Sequence, residues 1–362
     1  MIDFRYHLVS IIAVFFALAV GIVLGAGPLG ERVDADLPDQ LNSMREQNSQ
    51  LQEQIRGLES IQEYRDGFIE AVVPDVVGGR LADREIAVLA MPNADGDIVE
   101  AVGDVLDQSG ASVTATVRLG ESWADPESES ALDALAAGLV SSGTSLPEDG
   151  DGYDRGAALL AQAFLVSPRE QALEQGLPPD LDERTLRASR QIDQEIMVGL
   201  TEAEFISVEG EPERKADLAV VIAGPLTGDE AVTPAEPLMT VVQALDEAGS
   251  GAVVAGPPFD NDGELIPAIR SDGDLTEQVS TVDSADLLVG RIAVVFAVLE
   301  QESGGAGQYG YSGPDGAMPP IPDRPQRSEE PVDETPADDT DGGAEDTEGG
   351  PDGDSDSEDG EG

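Results

Sequence analysis

Residues 84–119 read "REIAVLAMPNADGDIVEAVGDVLDQSGASVTATVRL" and contain a strand pattern, a helix pattern and a second strand pattern. The first part, residues 84–92, is a short apolar run typical of a buried strand. Residues 96–110 have apolar side chains at helical spacing and end on a glycine, which commonly ends helices. Residues 111–119 alternate and are rich in β-branched side chains. The stretch therefore predicts a strand, helix and strand unit.

The same order of elements recurs later in the chain. Apolar strand patterns at residues 216–225 and 251–258 flank a helical pattern at residues 235–249. Short apolar strands alternating with helices are typical of a largely parallel sheet covered on both faces. Further helical patterns supply the cover, at residues 129–140, 153–166, 183–200 and 286–301. We predict an α/β fold with a mainly parallel sheet in one domain, residues 80–302.

An apolar run near the N-terminus predicts a membrane anchor. From Leu8 to Gly27 there is no charged residue. Twenty helical residues rise about 30 Å, the thickness of the hydrocarbon core, whereas the apolar part of a signal peptide has about 7 to 15 residues. We expect a leader at residues 1–7 and a single transmembrane helix at residues 8–28. A cleaved signal and a buried soluble helix are the alternatives.

The charges beside this run favour a cytoplasmic N-terminus. The leader carries Arg5 and the terminal amine, and the other side opens with one arginine among several acids. The positive-inside rule counts basic groups near the ends of the helix and mostly ignores acids. The amine decides an otherwise equal balance, so we expect the bulk of the chain to lie outside the cytoplasm, in the cell envelope.

Small residues recur at every fourth position of the anchor. These residues are Ala13, Ala17, Gly21 and Gly25. Residues four apart share one helix face, and a small face lets two membrane helices approach closely. The spacing predicts self-association, although alanine and glycine are also common in membrane helices.

A heptad pattern follows the anchor. Its apolar positions alternate in steps of four and three, as in a coiled coil. They are Leu37, Leu41, Met44, Asn48, Leu51, Ile55 and Leu58. Asn48 occupies an a position, which favours a parallel paired register. We predict a coiled coil over residues 34–71 and a parallel homodimer or higher homo-oligomer. A single amphipathic helix lying on the α/β domain is the alternative.

The composition excludes several classes of partner and site. The chain has 74 acids and 19 basic residues, for a net charge of −55. Residues 328–362 contribute 16 acids and no base, so the remainder still carries −39. Such a surface repels nucleic acid and anionic lipid headgroups. The absence of cysteine excludes disulfides and thiolate metal sites. Residues 303–362, rich in Gly, Pro and acids, are predicted to be disordered.

Three strand patterns end in similar sequences, each with a proline and then acids: "VLAMPNADGD", "VIAGPLTGDE" and "VVAGPPFDND". Ligands of open α/β sheets bind beyond the carboxyl ends of the strands. Acids there could hold a hard cation such as Ca²⁺ or Mg²⁺. The candidates are Asp95, Asp97, Asp229, Asp260 and Asp262. The alternative is that Pro, Gly and Asp are ordinary turn residues and that Asp caps the next helix.

The usual enzyme motifs are missing. There is no GxGxxG after a strand, no GxxxxGK[ST] and no GxSxG. The only histidine, His7, lies at the membrane edge, so the outer domain has no Ser-His-Asp triad and no histidine-ligated zinc site. We expect no enzymatic activity and no cofactor; a mechanism that uses only carboxylates or Lys215 is the alternative.

Three segments resemble the actinobacterial copper transporter family. The first is the leader and apolar run, residues 2–25. The second, "STVDSADLLVGRIAVVFAVLE", matches through Ser280, Thr281, Val282, Asp283, Gly290, Arg291 and Ile292. The third, "YGYSGPDGAM", matches through Tyr309, Gly310, Gly313, Gly316 and Ala317. The resemblance covers residues 1–318 and leaves out the acidic tail.

This resemblance implies a protein of the cell envelope that takes part in pore formation and keeps intracellular copper low. It identifies no catalytic or metal-binding residues in this chain. A dimeric scaffold that recruits envelope partners, without transport activity, is the alternative. Cu(I) prefers thiolate, thioether and imidazole ligands. The methionines after the first residue are far apart, so we expect no tight Cu(I) binding; they are Met44, Met91, Met197, Met239 and Met318.

Overall fold

The computed structural model describes residues 4–25, 28–139, 146–166, 190–226, 234–258 and 264–322. Residues 1–321 form one compact unit, which contains the fold. The second unit begins at residue 322, and the predicted acidic tail from residue 323 onward lies outside the described residues.

Two long helices begin the chain. Helix α1 runs over Phe4–Gly25 and α2 over Pro28–Val77. Within the described part of the chain, one stretch, Arg5–Gly25, is long and apolar enough to cross a membrane. Proline suits the first turn of α2 because its missing N–H has no partner there. Helix α2 is longer at both ends than the predicted coiled coil of residues 34–71.

The described strands form one mainly parallel sheet, which confirms the predicted fold class. The strand order is β3-β2-β1-β4-β5-β6-β7, and only the β2–β3 pair is antiparallel. The strands are β1 Glu85–Ala90, β2 Ser112–Leu119, β3 Ile206–Glu209, β4 Leu218–Ile222, β5 Ala252–Ala255, β6 Ser280–Val282 and β7 Gln308–Tyr309.

Helices cover both faces of this sheet. The first face carries a 3₁₀ turn at Glu121–Ala124 and then α4 Glu129–Leu139, α5 Gly152–Phe164, α6 Gln194–Glu202, α7 Glu236–Ala248, α8 Leu265–Ser271 and α9 Gly273–Gln278. The second face carries the end of α2, α3 Gly96–Gln108 and α10 Leu288–Glu302. Strand β1 is central, so its side chains alternate between two cores: Leu89 joins the first and Val88 the second.

The connection to β7 has an unusual hand. Strands β5, β6 and β7 are added one after another on the same side of β4. The helices before β5 and β6 pack on the first face, but α10, before β7, packs on the second. The β6–α10–β7 connection therefore has the opposite hand to the two before it. Most parallel crossovers in proteins share one hand, so this corner needs specific stabilisation.

The structure extends the domain beyond its predicted end at residue 302. Gln308 and Tyr309 pair with Thr281 and Val282, and both β7 side chains are buried. Glycine and proline made residues 303–322 resemble a disordered segment. Tertiary hydrogen bonds to the backbone and side chains of this segment hold it in place instead.

Candidate functional site

The loops after β1 and β4 meet at the topological switch point of the sheet. Here the chain leaves β1 towards one edge of the sheet and leaves β4 towards the other. Gly224 lies directly against the β1 loop. A Cβ atom at this position would be 2.3 Å from the carbonyl oxygen of Pro92 and 2.4 Å from the amide nitrogen of Ala94. Backbone packing therefore occupies the place where doubly wound folds commonly hold a ligand.

The predicted cation site is tested only in part by the described residues. Asp95 is the N-cap of α3, and its carboxylate accepts a hydrogen bond from the Asp97 backbone N–H at 2.9 Å. Both side chains are exposed. Asp229, Asp260 and Asp262 lie outside the described residues. Among those described, no group of three or more His, Cys, Asp or Glu side chains could hold a metal ion. Asp95 thus has a capping role, and cation binding stays a prediction.

Asp97 also lines an acidic groove beside β2, with a volume of about 570 Å³. Arg118 of β2 lies in this groove, where its Nε donates to Glu209 Oε1 at 2.9 Å. The other acids lining the groove are Glu100, Asp104 and Asp107 of α3. Of the five acids that line the groove, only Glu209 is paired with Arg118. The groove is therefore strongly negative and favours cations over anions.

A buried ion pair joins α8 to the far edge of the sheet. Arg270 Nη1 lies 2.8 Å from Asp283 Oδ2, and Asp283 is only 2% exposed. The same guanidinium donates from Nη2 to the Tyr309 carbonyl at 2.7 Å and from Nε to Thr281 Oγ1 at 2.8 Å. One arginine therefore holds β6 and β7 together.

The segment after β7 wraps around the same carboxylate. Ser312 donates to Asp283 Oδ2 from its backbone N–H at 3.0 Å and also from its hydroxyl. Gly310 has a φ of 114°, and a Cβ there would be 2.0 Å from Asp283 Oδ1. Only glycine combines this backbone conformation with so close an approach.

The electrostatics of this cluster keep Asp283 ionised. Burial by itself raises the pKa of Asp283, but hydrogen bonds from Ser312 and the hydrogen bond and charge of Arg270 outweigh it, so the pKa lies below its usual value. Burial, together with the hydrogen bond to Glu300 Oε1 at 2.8 Å, raises the pKa of Tyr309. Arg270 balances the charge of Asp283, while Asp283 Oδ1 and Glu300 Oε2 are buried without a hydrogen-bond partner. The ion pair and its hydrogen bonds hold the sheet edge together.

The resembling segments at residues 280–300 and 309–318 meet at this corner. Ser280 Oγ accepts hydrogen bonds from Gln301 Nε2 at 3.0 Å and from the Gly307 N–H at 3.2 Å. Arg291 donates to the carbonyls of Ala285 and Asp286. The resembling residues of these two segments therefore form the corner of the domain where β6, α10 and β7 meet.

Sequence reasoning missed one partly buried and one buried charged side chain, Arg270 and Glu264. Arg270 is the only basic residue between Lys215 and Arg291. An isolated arginine in so acidic a chain could have indicated a structural ion pair. Glu264 is 1% exposed, and its Oε2 accepts from the Leu226 N–H at 2.5 Å. No pattern in the sequence distinguishes it from the many surface acids.

The predicted association faces are exposed. The small face of α1 lies on a helix whose described side chains are all exposed. Asn48 is exposed on α2, and its Oδ1 accepts from Gln52 Nε2 at 2.8 Å. Pairing of either face with a second copy stays a prediction.

Comparison with known proteins gives one consistent result. The model of the family described as "Copper transport outer membrane protein, MctB" matches residues 1–320. Proteins named copper transporter MctB from Mycobacterium tuberculosis and Mycobacterium bovis are each 29% identical over 320 residues, which covers 86% of this chain and 96% of theirs. The Mycobacterium leprae protein of the same name is 29% identical over 329 residues, with the same coverage.

Proposed function

Because this chain belongs to the MctB family, we propose that it acts in copper efflux or copper homeostasis as a membrane-anchored protein of the cell envelope. The observation that carries this proposal is the family match over residues 1–320. The apolar helix at Arg5–Gly25 supports a single-pass anchor. In the proposed topology the N-terminus is cytoplasmic and the α/β domain lies outside the inner membrane.

We propose that the domain does not itself chelate Cu(I) tightly. A selective Cu(I) site needs several soft ligands at one point. Met91 is buried in the first core, where Met197 and Met239 pack, while Met318 packs on the second core. Met44 is exposed on α2. These placements support a role for the thioethers in packing, so the copper function would depend on assembly or on partner proteins.

Deleting the gene should raise cellular copper when external copper is high. Copper content is measured by mass spectrometry in the deletion strain, in the wild type and in a strain complemented with the full chain. Zinc content and detergent sensitivity serve as controls for a general envelope defect. Unchanged copper together with a detergent-sensitive envelope would contradict the copper role and favour the scaffold.

The purified full chain should fail to take Cu(I) from a chelator of sub-picomolar affinity. The chain lacks cysteine, and its methionines are distributed between two cores and an exposed helix. The matched control is the Met197→Leu, Met239→Leu double variant, which keeps the volume of the core. Stoichiometric capture by the wild type that disappears in this variant would show that these methionines form a site.

The scaffold remains the second candidate function because of how the membrane part is built. One helix cannot line an aqueous channel, since a pore needs several helices or a closed barrel. An anchored protein with a long exposed helix is suited to assembly with other chains. Both candidates therefore require that this chain associates, and they differ in whether copper content responds.

A further inference from the structure

We propose that α2 pairs with α2 of a second copy of this chain as a parallel, in-register, two-stranded coiled coil over residues 41–58. The inference does not depend on the copper role. It rests on four observations: the exposure of the seam, its continuity with a buried face, the charges beside it and the polar residue within it.

The seam is apolar but uncovered. Its described apolar side chains are between 51% and 67% exposed, although each occupies an a or d position. They are Leu41, Met44, Leu51, Ile55 and Leu58. An exposed apolar stripe of this kind marks an interaction site, so its exposure indicates a missing partner.

The same face is buried where α2 reaches the domain. With about 3.6 residues per turn, residues eighteen apart point in the same direction. Ile69 and Val73 therefore continue the direction of Leu51 and Ile55, and both pack on the second core. The seam is thus the outer part of one packing face. Within the described residues, the chain's own domain covers only the C-terminal end of this face, so the alternative of a single helix lying on the domain accounts for only part of α2.

The charges beside the seam fit a second copy of this chain. In a parallel pair each g position faces an e position of the partner. The g positions include Gln47 and Gln54, and the e positions are Arg45, Gln52 and Glu59. No acid faces an acid across this seam, in a chain whose net charge is −55. The seam itself therefore adds no acid-to-acid repulsion between the two copies.

Asn48 and the anchor select the parallel direction. In register, Asn48 faces Asn48 of the partner, so each amide meets another hydrogen-bonding group. In an antiparallel pair an a position faces a d position, and Asn48 would be buried against an apolar side chain. Helix α1 ends at Gly25 and α2 begins at Pro28, so two copies anchored in one membrane start side by side.

Anchoring in the membrane also explains how two copies can stay paired through so short a coiled coil. Residues 41–58 span about 27 Å at 1.5 Å per residue, which is short for an independent coiled coil. Confinement of two copies in one membrane raises their effective concentration. The small face of α1, which includes Gly21 and Gly25, adds a second contact between the same two chains.

Single cysteines in this cysteine-free chain test the register. In the full chain in native membranes, mild oxidation should crosslink Leu51→Cys and Ile55→Cys to their own copies, whereas Glu53→Cys, on the outer f position, should give no dimer band. Co-expressed Met44→Cys and Leu58→Cys chains should form no mixed dimer, because in register these positions are about 21 Å apart. Equal crosslinking at the outer position, or a mixed dimer, would overturn the parallel register.

A charge variant provides a second measurement. Leu51→Glu with Ile55→Glu should shift the detergent-solubilised full chain from dimer to monomer mass, while Glu46→Gln with Glu53→Gln, on the outer face, should leave it dimeric. Thermal unfolding of the α/β domain should be the same in both variants, which separates lost pairing from misfolding. A wild-type chain that is monomeric and does not crosslink would reject the proposal.

Discussion

Replacing Arg270 with methionine should lower the free energy of unfolding by about 3 to 5 kcal/mol, because the Asp283 carboxylate is left buried without its counter-charge. The same change removes the hydrogen bonds to the Tyr309 carbonyl and to Thr281 that hold β7 beside β6. Urea unfolding of the full chain, followed by circular dichroism, measures the effect.

Arg118→Met is the matched control, because its ion pair with Glu209 is exposed and should contribute less than about 1 kcal/mol. Adding Asp283→Asn to Arg270→Met should recover part of the loss, since it removes the uncompensated charge. Equal losses in Arg270→Met and Arg118→Met would contradict a buried, stabilising pair.

The pH dependence gives this prediction a specific sign. The pKa of Asp283 is lower in the folded protein than its ordinary value, so its stabilisation is present above the unfolded pKa of about 3.9. That stabilisation disappears as the pH falls through the lower folded pKa. Without Arg270, burial raises the pKa of Asp283 instead. The stability difference between wild type and Arg270→Met should therefore shrink as the pH falls, starting above about pH 4 at the raised pKa of Asp283 in the variant and ending at its lowered pKa in the wild type.

Trp123→Ala should cost about 3 to 5 kcal/mol, because a fully buried indole leaves a large cavity in the first core. The Trp123 ring packs edge to face on Phe205, with 5.9 Å between ring centroids. Its Nε1–H donates to the Phe205 carbonyl at 2.8 Å, and this hydrogen bond is lost in the variant, while the carbonyl keeps the Gly120 N–H as a donor at 2.8 Å. Thermal and urea unfolding of the full chain measure the loss.

Trp123→Phe separates the two contributions, because it keeps an aromatic ring and loses only the hydrogen bond and part of the volume. We expect it to destabilise less than Trp123→Ala. Tyr311→Ala, at a side chain that is 83% exposed, should change stability by no more than about 0.5 kcal/mol. A Trp123→Ala chain as stable as Tyr311→Ala would show that the indole does not support this edge of the sheet.

Local patterns in the sequence were enough for the fold class and the central elements. Strands β1, β2, β4 and β5 are apolar or β-branched runs, and α3 and α7 have helical spacing, so each element is specified by its own residues. The apolar length of α1 specified a possible span in the same way. The capping alternative for Asp95 was also local, because an N-cap bonds only within its own first turn.

The edges of the sheet were decided by tertiary structure. Strand β3 is short and reverses direction, and β7 has two residues within a segment rich in glycine. Neither segment has enough strand propensity to be recognised as a strand from the sequence. Their stability comes from contacts between residues far apart in the chain: Trp123 with Phe205 at one edge, and Arg270 with Asp283 and Tyr309 at the other. Such contacts depend on distances across the folded chain, and residue spacing along the sequence carries no record of them.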